Sequence, residues 1–183
     1  MVKKRLARLI LLIVALSFGG VRAESSLPLK IDNPSSSLSR CSRGELMAFR
    51  WIHVGYAALY LPGCQTIDMF SASPKRLRFL YERSIPAKAF REAAEEYLKI
   101  NLGDKFDAWR DAFATFNRHY RDIEQGDYYD LVFDPKSGLS LFLNDDRLAT
   151  LEDPEQGLAY FSIWFGKEPF SSALKDALLT PEM

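Results

Sequence analysis

Two cysteines, two histidines, ten glycines and nine prolines are all that this 183-residue sequence carries of the residue types that announce special architectures. Two cysteines cannot build a disulfide-dense miniprotein or a thiolate metal cluster. The histidines, His53 and His119, have no second His or Cys at ligand spacing, and no EF-hand loop or H-E-x-x-H segment occurs, so no metal site is expected. Glycine and proline are too sparse for a collagen-like or low-complexity chain. The G-x-S-x-G, G-x-G-x-x-G and P-loop patterns are all missing, which removes the usual sequence support for hydrolase, dinucleotide and nucleoside-triphosphate chemistry. No cofactor is expected. An excess of one charge is missing as well, since 24 Lys+Arg balance 24 Asp+Glu.

What is present begins with a secretory pattern. Residues 1–23 have a basic start (Lys3, Lys4, Arg5, Arg8), an apolar run from Leu9 to Phe18 and small residues Val21 and Ala23 before a cleavage point. The run is short for a bilayer span, and an uncleaved single-helix anchor is the competing reading. Cleavage after Ala23 removes five basic residues and no acid, leaving 19 basic against 24 acidic. An acidic mature chain without a Lys/Arg cluster is poorly suited to phosphates, so neither nucleic acid nor an anionic membrane surface is an expected partner. The expected location is the periplasm or the outside of the cell. In an oxidising compartment Cys41 and Cys64 read as a disulfide, a redox pair being disfavoured by the lack of C-x-x-C spacing.

The remaining chain is of a length for one domain. Residues 24–40, rich in Ser, Pro and Asn, read as an irregular leader. Leu46–Leu61 (LMAFRWIHVGYAALYL) reads as one long strand bent at Gly55, and Arg76–Tyr81 as a second strand. A helix is predicted over Pro86–Ile100, with Ser84 as N-cap and Gly103 closing it. Asp104–Asp122 carries Phe106, Trp109, Phe113, Phe116 and Tyr120 at spacings of three and four, one helix face, read as core rather than as a cofactor-stacking surface. Tyr128–Phe133 and Leu139–Leu143 form a hairpin around Asp134-Pro135-Lys136-Ser137-Gly138, followed by a short strand at Arg147–Leu151. Helices at Pro154–Phe165 and Ser171–Leu179 finish the chain. Strands then helices, twice over, is an α+β order.

Few residues suggest chemistry. His119 near Tyr120 and Asp122 reads as a solvated helix residue more readily than as a general base. Adjacent acids at Asp145-Asp146 and Glu95-Glu96 point apart. More informative are Arg50, Tyr56 and Tyr60, which share strand parity with Ile52, Val54 and Ala58. A guanidinium and a phenol on an apolar strand face can jointly hold a carboxylate. The same pattern fits a snorkelling arginine with tyrosines in the core.

Four segments in this order, HVGYAALYLP (53–62), PKRLRFLYERSI (74–85), GDYYDLVFDPKSGLSLFLN (126–144) and SIWFGKEPFSSALKDALL (162–179), resemble the exported bacterial chalcone isomerase-like proteins. The resemblance implies an open antiparallel sheet wrapped by helices, with a cleft between the layers, over residues 41–183. In the plant enzymes that cleft cyclises a chalcone, with an arginine orienting the phenolate and hydroxyl or amide groups polarising the carbonyl. Aligned by the resemblance, the arginine falls at Arg43, but the hydroxyl and amide positions fall at Gly55, Phe90, Tyr97 and Ile163. Catalysis is therefore not expected. The fold also includes plant proteins that hold a fatty acid's carboxylate with an Arg and a Tyr. Arg43 and Tyr56 are similar to that pair in placement, with Arg50 as the competing cation. The resemblance thus implies a fatty acid or similar amphipathic carboxylate as ligand, in a site drawn from Arg43, Arg50, Tyr56, Tyr60, Phe90 and Tyr97. The alternatives are an isomerase or lyase of unknown substrate, and an envelope protein-interaction module whose cleft is filled and whose apolar patch lies near Trp51 or Trp164.

Overall fold

Alternating side chains along three neighbouring strands decide how this molecule is layered. The structure is a computed structural model and describes residues 27–33, 36–48 and 51–182. The expected secretory segment 1–23, residues 24–26 and 34–35 of the expected leader, and Arg50 lie outside those residues. Seven strands, β1 (Lys30–Asn33), β2 (Ser36–Ala48), β3 (Ile52–Leu61), β4 (Lys75–Tyr81), β5 (Tyr128–Asp134), β6 (Gly138–Leu143) and β7 (Asp146–Leu151), lie side by side in chain order. Every neighbouring pair is antiparallel. Such a meander needs no crossover, so all the helices are free to cover one face.

Those helices are α1 (Ala87–Leu102), α2 (Asp104–Asn117), α3 (Pro154–Tyr160), α4 (Ser162–Phe165) and α5 (Ser172–Leu179). On the face they cover, Ala57, Leu59, Leu61, Leu77, Phe79, Tyr81, Tyr129, Leu131 and Phe133 join Leu98, Phe106, Phe113, Phe116, Tyr160, Phe161 and Leu174 in one core. Helix α5 lies so close to β2 that a Cβ at Gly44 would stand 2.9 Å from both Ala177 Cβ and Leu174 Cδ1. On the opposite face Leu27, Leu38, Ala58, Tyr60 and Leu80 form a second, smaller cluster, with Ile31, Tyr56 and Tyr128 packed against it.

The α+β class and the hairpins of the C-terminal half match the sequence reading, and three local differences have physical causes. Within the expected leader 24–40, residues 30–33 and 36–40 are not irregular: they form β1 and open β2, with Ser36–Ser39 paired to Lys30–Asn33, because serines tolerate a ladder that supplies their backbone bonds. Leu46–Leu61 is not one bent strand but the end of β2 and all of β3, with Ala48 paired to Ile52 and the Trp51 N–H donating to the Ala48 carbonyl at 3.3 Å. The apolar run there has no Gly, Pro or Asn to mark the reversal. Ser84 does not cap α1; it donates to Glu124 Oε2, and the Ala87 N–H is met by Asp122 Oδ1 at 2.8 Å. At the other end Asp153 caps α3 and Ser171 caps α5 through their side chains.

A disulfide joins Cys41 on β2 to Cys64 beyond β3, with Cα atoms 5.1 Å apart. It ties the β3–β4 connection to the sheet. Within that connection the ammonium of Lys75, fully buried, donates to the carbonyls of Ser71 (2.6 Å) and Ser73 (2.8 Å) and lies 4.8 Å from the Phe133 ring centroid.

Candidate functional site

The residues expected to form one site divide between the two faces of the sheet. The register shift between Leu46 and Met47 opposes an extra β3 residue to β2 at Val54. Parity therefore slips at that point: Val54 joins the helix-side core, whereas Tyr56, Ala58 and Tyr60 belong to the outer cluster. The expected shared face of Val54, Tyr56 and Tyr60 is not formed. Arg43 pairs in register with Ala58 and so shares the outer face; it is largely exposed and its Nε meets Glu182 Oε1 at 3.1 Å. Tyr56 is half-buried with its ring 4.9 Å from that of His53.

Tyr60 is fully buried, and its hydroxyl has no hydrogen-bond partner among the described residues. Burial pushes its pKa up to about 12, against the opposing charges of Arg78 and Arg40. Beside it, Arg78 forms a forked pair with Asp130, Nε to Oδ1 and Nη2 to Oδ2, both 2.7 Å, under the Tyr128 ring at 3.9 Å. Burial works against the Arg78 charge, but the hydrogen bonding and charge of Asp130 outweigh it and raise its pKa. Arg76 lies 3.5 Å from the same carboxylate and donates to the Asp32 carbonyl. This cluster was visible in sequence only as Arg76 and Arg78 alternating with apolar neighbours, and Asp130 alternating with Tyr128 and Val132.

Phe90 and Tyr97 project from α1 on the other side. The Phe90 ring stacks on Tyr120 at 5.5 Å and meets Tyr81 and Tyr129 edge-on at 5.5 and 5.2 Å. Tyr97 contacts Phe170 at 5.6 Å, and Trp164 lies 5.0 Å from Phe79. Between sheet and helices there is thus a continuous aromatic layer, with Phe90, Tyr97, Trp164 and Phe170 at its half-buried margin. Its hydroxyls are committed inward: Tyr160 donates to Asn117 Oδ1 at 2.7 Å and lies 3.1 Å from the Tyr120 hydroxyl, and Tyr129 donates to the Arg121 carbonyl at 2.8 Å. Burial raises the pKa of Tyr81, Tyr120, Tyr129 and Tyr160, so all four are neutral phenols at physiological pH.

Two positions bear directly on catalysis. Gly55 has φ +152°, and a Cβ there would stand 1.9 Å from the Leu80 carbonyl oxygen. No side chain, and so no threonine hydroxyl, fits that backbone. Ile163 is buried and apolar. Among the described residues no group of three or more His, Cys, Asp or Glu could hold a metal ion, and no helix is long and apolar enough to cross a membrane.

The sequence model of a family described as chalcone isomerase-like matches residues 47–180. No curated protein matches the chain. The crystal structure of an Arabidopsis thaliana fatty-acid binding protein is similar at a TM-score of 0.55 and 14% identity, over 82% of this chain and 95% of that one. At that identity the likeness establishes the fold.

Proposed function

This chain belongs to the chalcone isomerase-like family, and from that membership we propose that it is an exported, non-catalytic binding protein for a fatty acid or similar amphipathic carboxylate. The observation that carries the reading is the backbone at Gly55: the Leu80 carbonyl occupies the space a hydroxyl-bearing side chain would need. With Phe90 and Ile163 also unable to donate a hydrogen bond, three of the four expected carbonyl-polarising positions lack a donor and only Tyr97 keeps a hydroxyl, while the aromatic layer is suited to an acyl chain. Each CH₂ such a layer takes from water contributes about 0.8 kcal/mol. Entry requires the half-buried margin, Tyr97 against Phe170, to part. The fatty-acid binding neighbour of the same fold supports the ligand class. Export follows from the basic and apolar pattern of residues 1–23 and suits the Cys41–Cys64 bond.

The test is to purify the protein from the cell envelope under mild conditions and compare its native and denatured masses. A carboxylate released on unfolding at one per chain supports the reading. A protein that arrives empty and ignores added fatty acids overturns it. One observation favours a second reading, an envelope interaction module: Trp51, at the β2–β3 reversal, is 78% exposed beside the exposed Ile52. That reading predicts an empty protein whose co-purifying envelope partner is lost with Trp51→Ser.

A further inference from the structure

Joined at Gly103 and packed side by side, α1 and α2 leave an open groove of about 470 Å³ between them. Its floor is apolar, built from Phe106 and Phe113, whose rings stack 6.3 Å apart. Its polar residues follow the hairpin. Lys88, Arg91, Asn117 and Arg118 lie at the end remote from Gly103, with Glu92 one position from Arg91, and Glu95, Arg110 and Asp111 lie nearer to Gly103. Several of these charges are already engaged: Lys88 with Glu92 at 3.5 Å, and Arg110 with Asp107. Arg91 makes only a long bond, 3.4 Å, to the Tyr120 carbonyl, and Arg118 is exposed and takes part in none of the ion pairs among the described residues.

Asn117 gives the groove a fixed donor. It is buried to 6% exposure, and its Oδ1 accepts the Tyr160 proton. That bond leaves the Tyr160 oxygen to accept from the Tyr120 hydroxyl. The two phenols, held neutral by burial, set the amide's orientation, so that Nδ2 is the atom left for the groove. An amide donor, two guanidiniums and an aromatic floor together match a carboxylate on an apolar chain. From Asn117 to Phe106 is eleven residues of α2, about 16 Å of helix.

We propose that this groove binds a medium-chain carboxylate, with its head group on Arg91, Arg118 and the Asn117 amide and its chain along Phe113 and Phe106 toward Gly103. For the ligand class this rests on the reading above, and it supplies the anchor that Arg43, Tyr56 and Tyr60 do not form on the helix side. The chain need not open the aromatic layer to occupy the groove.

The experiment titrates dodecanoate, below its micelle concentration, into the disulfide-intact protein, following backbone amide, side-chain amide, arginine and aromatic NMR signals, with dodecanol as the uncharged control. Arg118→Gln, just past the end of α2, and Ala114→Trp, on α2, both change exposed positions, and the second puts an indole into the groove. The expected result is a shifted Asn117 amide, affinity at least about ten-fold weaker for dodecanol and for Arg118→Gln, and no saturable binding to a folded Ala114→Trp. Unchanged affinity in both variants overturns the groove. If the shifts gather on Phe90, Tyr97 and Phe170 instead, the groove is refuted while the acyl-binding reading survives; if the protein neither binds dodecanoate nor releases a carboxylate on unfolding, both fall.

Discussion

Replacing Asp130 by Asn keeps its shape and removes its charge, which isolates what the outer cluster contributes to stability. Asp130 is fully buried, and the side chain of Arg78 is 7% exposed. In the wild type, two 2.7 Å charge-assisted bonds and the Tyr128 face compensate for taking the guanidinium out of water. In Asp130→Asn the amide still accepts one bond, but Arg78 is left as a buried cation with Arg76 beside it. Losing one partner of such a pair costs about 3–5 kcal/mol. For a chain of this length that corresponds to a fall in Tm on the order of 10 °C. Urea and thermal unfolding of the disulfide-intact protein measure it. The double variant Arg78→Met/Asp130→Leu removes both charges of the forked pair, so it should lose less than the single variant does, since only Arg76, which still donates to the Asp32 carbonyl, loses its carboxylate neighbour. A loss under about 1 kcal/mol for Asp130→Asn, or a double variant worse than the single, would refute the reasoning.

Reduction of Cys41–Cys64, which closes a separation of 23 residues, should lower stability by about 3 kcal/mol, read as the shift of the urea midpoint with and without reductant. Lys75 gives a pH dependence: burial, partly offset by Asp68, lowers its pKa from 10.5 to about 8. The unfolded chain therefore holds more protons than the folded one between those values, and stability rises with pH from about 8 toward 10. Above pH 10 the sign reverses, because Tyr60 stays protonated in the folded state up to about 12 while unfolded tyrosines ionise. Lys75→Met should abolish the rise and leave the alkaline fall, as followed by urea midpoints across pH 7–11. Gly55→Thr should restore no isomerase activity toward a chalcone and should destabilise by several kcal/mol, on the order of a strained, overpacked core site; a well-folded variant with turnover would contradict the account of that strand.

What could be read from the sequence was set by which signals are local. The turn residues of Asp134–Gly138 and the alternation of Tyr128–Phe133 gave the hairpin, and the three-and-four spacing of Phe106, Trp109, Phe113 and Phe116 gave the inward face of α2, although the helix ends at Asn117 and Tyr120 falls beyond it. The β2–β3 reversal was hidden because Leu46–Leu61 is mostly apolar and aromatic with no Gly, Pro or Asn between Ala48 and Ile52, so pattern alone could not tell two strands from one. Strand parity placed Tyr56 and Tyr60 together correctly, but the bulge moved Val54 to the other face; Gly55 beside it signalled a bend, and a strand glycine alone does not say whether the register slips. The α1–α2 groove depends on how two helices pack. Its one local clue was Asn117, a polar residue four positions after Phe113 on an otherwise aromatic face. Arg43 could be aligned with a ligand anchor by resemblance, yet its exposure and its bond to Glu182 depend on where the C-terminal residues pass the edge of β2, where the Glu182 N–H meets the Cys41 carbonyl at 2.7 Å.

The central claim is that this fold here binds a carboxylate and leaves it unchanged. Loading the disulfide-intact protein with isotope-labelled hexadecanoate, passing it through gel filtration and unfolding it for mass analysis tests that claim most directly. The account predicts close to one labelled fatty acid retained per chain and recovered with its mass unaltered. Retention far below one equivalent at saturating ligand, or recovery of a chemically altered product, would contradict it.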